Sequence, residues 1–260
     1  MSERLTPCLL KTYASAKTPM PLPKTHLHGI WLYDGSIPTG VRIVETDCAP
    51  GTGDYEDDPE TAEDRPGTWY YVEWASAGDR HLTGSSVGPF DSLVSAEAYV
   101  IVTAKGTLSW CDDEPTGNYQ PVSLRSEHVM PLLVASCPSY RERWIAVSRA
   151  PDFEADLIYA QLGDFAQHVV NQLGRFEECD LIRLCDTAEQ LHVYGDTDVR
   201  EAATIGLLEA IQNAARATRS STLELESHLG VVTKRWWNSL NAFWKGEIPF
   251  VGADLPGNAR

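Results

Sequence analysis

Gly84-Ser-Ser-Val-Gly88 is the stretch whose spacing comes nearest to a nucleophile motif. In G-x-S-x-G the serine is lifted on a tight strand-to-helix turn, with a carboxylate and a histidine supplied later in the chain. Here Asp79-Arg-His-Leu-Thr leads in and Pro89 follows directly, so the expectation is a glycine–serine loop, and Ser86 is the residue a hydrolase would have to use. Asp54-x-Glu56-x-Asp58 alternates carboxylates as a calcium loop does, but Pro59 stands where that loop needs Gly and Arg65 where it needs Glu. His26-Leu-His28 would place two imidazoles on one face of a strand, a spacing able to ligate a metal, yet no other His or Cys is near in sequence. The cysteines (Cys8, Cys48, Cys111, Cys137, Cys179, Cys185) form no C-x-x-C pair, so neither a zinc site nor a dithiol is indicated, and Cys185 reads as a small buried hydrophobe. No catalytic residue, cofactor or metal ligand is assigned, and the expectation is a protein that is not an enzyme.

Charge says more than motifs. The 260 residues carry a net charge of −16. Residues 1–150 hold 12 basic against 20 acidic side chains and the remainder 9 against 17, so each part contributes about −8. Such a field repels nucleic acid and anionic membranes, and it favours a basic protein partner. Solubility alone is the plainer explanation of the same charge. No apolar run approaches a membrane span, and the polar start Met1-Ser-Glu-Arg does not resemble a signal peptide, which leads to the expectation of a cytoplasmic protein.

The elements that must position any site divide the chain in four. Residues 1–25, with Pro7, Pro19, Pro21 and Pro23, read as an irregular arm. Residues 26–150 read as an α+β domain, mainly antiparallel sheet with one helix. Its expected strands are Gly29–Tyr33, Gly40–Glu45 (the hairpin loop lengthened by Pro38), Thr68–Ala75, Thr107–Trp110, Val129–Ser136 and Trp144–Val147. Residues 45–64 hold nine acidic side chains and no Lys or Arg, as in an exposed loop, and residues 84–90 read as another loop. Ser92 is placed to cap the helix, with Gly106 beyond its end.

From residue 151 to 248 the period changes to that of helices. Phe153, Leu157, Ile158, Leu162, Phe165, Val169 and Leu173 make one stripe. Leu181, Ile182, Cys185, Ala188 and Leu191 make the next. Val199, Ala203, Leu207, Ala210, Ile211 and Ala214 make a third, in which Gly206 implies close approach of a neighbour. A short helix over Leu223–Leu229 precedes a last one, Lys234–Lys245, capped by Thr233 and carrying Trp236, Trp237 and Trp244. Residues 249–260 read as a tail.

Leu162-Gly-Asp-Phe-Ala-Gln-His, the run His192 to Glu209, and Lys234-Arg-Trp-Trp-Asn-Ser-Leu-Asn-Ala-Phe-Trp together resemble an uncharacterised family of small bacterial all-helical domains, over roughly residues 152–247. That family occurs in predicted immunity proteins of polymorphic toxin systems. The resemblance implies an all-α fold and stoichiometric occlusion of a cognate toxin, with no catalytic residues to carry over. Charge and resemblance together nominate Asp54, Glu56, Asp57, Asp58, Glu60, Glu177, Glu178 and Asp180 as carboxylates facing the basic surface of such a toxin, with Trp236 as an aromatic anchor. Self-association is left open. The alternatives are a phage or defence-associated structural or regulatory adaptor that uses the helical domain for assembly, and, further off, a hydrolase.

Overall fold

The computed structural model describes residues 23–52, 62–79, 83–110, 122–151, 153–154 and 157–253. Most of residues 1–25, the acidic run 53–61, residues 111–121 and residues 254–260 lie outside them.

β1 (Lys24–Tyr33) and β2 (Ile37–Ala49) form a hairpin longer than the two expected strands, closed by a tight turn rather than a long loop. Asp34 and Gly35 both take positive φ, and Ser36 N–H donates to the Tyr33 carbonyl at 3.2 Å, the geometry that matches strand twist. Pro38 does not delay the return strand, and it sits inside β2 opposite Leu32. Gly40 N–H points away from β1 to the Asp79 carbonyl, and by alternation the Pro38 nitrogen faces the same side, where β3 has already ended. β2 also runs on to Ala49, which removes residues 45–49 from the expected loop.

β3 (Arg65–Ala75), β4 (Thr83–Phe90) and a two-residue β5 (Ser109–Trp110) complete an antiparallel sheet of order β4-β3-β2-β1-β5. The segment 84–90 is therefore an edge strand and not a loop. Alternation along the strands puts Val41, Ile43, Val72 and Trp74 on one face, all buried, and α1 (Leu93–Thr103) packs there through Ala96, Val100 and Ile101. Ser92 caps α1 as expected, its hydroxyl accepting from Ser95 N–H at 3.1 Å.

Among the described residues, the regular elements from Ser126 onward are helices. α2 (Ser126–Ser136) and α3 (Arg141–Ser148), joined by a 3-10 turn (Pro138–Tyr140), stand where two strands were expected. Val129-Met-Pro-Leu-Leu-Val-Ala is apolar on every side, so its pattern could not separate a strand from a buried helix. The helix is instead set by His128, whose Nδ1 accepts the Arg125 N–H at 2.9 Å.

α4 (Ile158–Gln172), α5 (Glu178–Tyr194), α6 (Thr197–Glu201), α7 (Ala210–Thr218), α8 (Leu223–His228) and α9 (Val231–Trp244) form the C-terminal helical bundle. Between α6 and α7 the rod is π-helical, Ala202–Glu209, where an ordinary helix was expected. Gly206 lies against α4, since a Cβ there would come within 2.6 Å of Leu162 Cδ1. Buried side chains run without a break from Ile43 and Val72 through Val129 and Leu133 to Phe165, Leu191, Trp237 and Leu240, so sheet and bundle share one core.

Candidate functional site

Ser86 sits mid-strand in β4 opposite Glu73, exposed at the sheet edge, and the strand-to-helix elbow of a serine nucleophile is not formed there. His26 and His28 are not the matched pair their spacing suggested. A bulge between Thr25 and Leu27 breaks the alternation, and His26 turns to Glu45, with Nε2 2.6 Å from Oε2 and the Tyr70 ring edge-on at 5.6 Å. Among the described residues no group of three or more His, Cys, Asp or Glu side chains could hold a metal ion.

Of the nominated partner-facing residues, Asp54, Glu56, Asp57, Asp58 and Glu60 fall outside the described residues. Glu177 and Glu178 are exposed at the start of α5, where a helix N-terminus favours carboxylates. Asp180, one turn on, is paired with Arg183. Trp236 is elsewhere, half-buried between His192, on which it stacks at 6.5 Å, and Gly252 of the returning tail. His192 is fourteen residues along α5 from Glu178, so the two nominated groups stand about 20 Å apart and do not form one site.

The structure assembles polar constellations that sequence spacing did not reveal. On α4, Asp164 and His168 lie one turn apart and meet the segment Cys137–Arg143. Ser139 Oγ lies 2.9 Å from His168 Nε2, and Cys137 Sγ lies 3.5 Å from the same hydroxyl. Burial holds the His168 imidazole below its ordinary pKa, which favours its neutral form beside the Ser139 hydroxyl. That is the first half of a nucleophile–base arrangement. The orienting carboxylate is committed elsewhere: Asp164 accepts the Tyr140 hydroxyl at 2.8 Å and the Arg143 guanidinium on both oxygens. The Arg143 guanidinium, helped by Tyr140, keeps the Asp164 carboxyl below the usual range. The cluster fastens the 3-10 turn and α3 to α4.

A second constellation joins α5, the π segment and α9. Glu189 accepts Val232 N–H at 2.9 Å and Thr233 N–H at 2.8 Å, so α9 is capped from outside by a carboxylate of α5. Thr233 is therefore not the cap expected of it; α9 begins two residues earlier, at Val231. Burial works to raise the Glu189 pKa, but those N–H donors outweigh it and hold it low. Three residues on, His192 is buried. Its Nδ1 lies 2.8 Å from the Ala188 carbonyl and its Nε2 3.2 Å from Thr204 Oγ1 of the π segment. Desolvation lowers its pKa.

A third pair joins α1 to α2. His128 Nε2 lies 3.6 Å from Glu97 Oε2, and that imidazole holds the Glu97 carboxyl below its ordinary value. Cys185, as expected, is buried, its thiol pushed up to about 12 by desolvation. No helix among the described residues is long and apolar enough to cross a membrane.

Residues 130–245 match a protein family described as a domain of unknown function (DUF7674). The match begins within α2 and ends one residue past α9, so an uncharacterised domain family occupies the C-terminal part of the chain. No curated protein and no solved structure gives a significant match.

Proposed function

We propose that this protein works by stoichiometric association with a basic protein, and that the partner is a bacterial toxin which it occludes. The observation that carries the reading is the net charge of −16, shared evenly between the two parts of the chain. A field of that size raises the rate of encounter with a cationic surface and discourages nucleic acid. Exposed carboxylates such as Glu177 and Glu178 fit the same purpose, because a nuclease or other phosphate-handling toxin gathers Lys and Arg around its site. The toxin assignment itself comes from the resemblance of residues 152–247 to helical domains of predicted immunity proteins.

Co-expression decides it. The account expects the protein to rescue cells from the toxin encoded beside its gene and to co-purify with that toxin. A toxin that kills undiminished and elutes alone would overturn the reading.

A further inference from the structure

We infer that the start of α4 and the exposed stripe of the α6–π–α7 rod form a docking face for a basic, amphipathic segment of a protein partner. The inference rests on the binding reading above and names the face that does the binding.

From Ala202 to Leu208 the π segment is buried at every position but one, and that position is Ile205, 37% exposed. An apolar side chain thus occupies the point of this run that meets solvent. Tyr159 of α4, 46% exposed, flanks it. The Tyr159 ring lies over Gly206, where a Cβ would be 3.2 Å from Cδ1, and its hydroxyl donates to Glu201 Oε1 at 3.1 Å. Asp198 and Glu201 precede Ile205 and Glu209 follows it along the rod at three- and four-residue spacing, so carboxylates stand at both ends of the apolar pair. One turn beyond Tyr159, Gly163 presents bare helix backbone, and nothing lies within 4 Å of where its Cβ would be.

The charge of this face selects the occupant. α4 contains no Lys or Arg, and the rod, residues 197–218, contains Arg200, which lies toward His192, and Arg216, whose guanidinium lies over the Trp244 ring away from the Ile205 stripe. The acidic start of α5, by contrast, is interleaved with Arg175 and Arg183. An apolar anchor with acidic flanks fits a helix that carries leucine-type residues on one side and Lys or Arg beside them. A second copy of this chain would bring the same negative field and be repelled.

The test uses the full chain and an amidated helical peptide of Leu and Lys, with Leu on one face, followed by fluorescence anisotropy. A control peptide keeps the Lys and replaces each Leu with Ser. Ile205→Asp removes the anchor while adding negative charge, and Gly163→Gln covers the bare backbone beside Tyr159 without changing charge. The inference expects the Leu peptide to bind more tightly than the control, and each substitution to weaken it by about fivefold or more. If attraction were the global field alone, Ile205→Asp would bind as tightly or more tightly, and the inference would fall. Absence of any binding by the wild-type chain would also sink it. Circular dichroism checks folding, and should Ile205→Asp not fold, Gly163→Gln decides, since its side chain enters open space. Toxin rescue that survives both substitutions would reject this face and leave the binding reading standing. Peptide binding without rescue would do the reverse.

Discussion

At the scale of single residues, Glu189 does for α9 what a cap side chain usually does from within its own helix. Glu189→Gln is expected to lower the free energy of unfolding at pH 7 by about 1–2 kcal/mol, read from urea titrations, as for loss of a capping residue. Its folded pKa is held low, so this stabilisation is present above the ordinary carboxylate range and is lost as pH falls through the folded value. A variant as stable as wild type at pH 7 would show that the cap carries no weight. His192 has the same sign for a different reason, because burial lowers a cationic acid. The unfolded chain takes up a proton below about pH 6.5 that the folded chain refuses. The stability difference between wild type and His192→Gln should therefore shrink as pH drops from 7.5 to 5.5. A difference that grows would mean the imidazole prefers its charge in the fold.

At the scale of elements, two glycines of the bundle make a matched experiment. Gly206→Ala drives a Cβ into Leu162 and is expected to destabilise by about 1–3 kcal/mol in spite of better helix propensity. Gly163→Ala meets open space and is expected to stabilise by up to about 1 kcal/mol. Thermal melts that shift both variants the same way would contradict the packing described. Gly206 was legible in the sequence as a point of close approach; the π segment was not, although its signal was present. Val199, Ala203, Leu207, Ile211 and Ala215, all buried, recur at intervals of four. In an α-helix each such step drifts about 40° around the axis, so the stripe would leave the core unless a wider turn absorbed the drift. Strands ringed by alternation, such as Thr68–Ala75, were readable, and so was α1 with its Ser92 cap. Val129–Ser136 was not, because a run apolar on every side has no period, and the group that decides it is the neighbouring histidine. Ser139 and His168, twenty-nine residues apart, have no sequence signature at all; only the docking of the 3-10 turn on α4 brings them together.

At the scale of the whole molecule, the sheet and the bundle share a core, while the family match covers only residues 130–245. The negative field, however, belongs to the entire chain. Association with a basic partner should therefore slow as salt is raised across the physiological range, where the Debye length falls below about 10 Å. Neutralising Asp54, Glu56, Asp57 and Asp58 together should slow it further and flatten that salt dependence in stopped-flow traces. Unchanged rates would remove the 54–58 run from the encounter surface. The most direct test of the central claim is a titration of purified toxin activity with purified protein. Stoichiometric occlusion predicts that activity falls in proportion and vanishes near one equivalent, with a one-to-one complex on a sizing column. Full protection at a small fraction of an equivalent would mean turnover, and would contradict it.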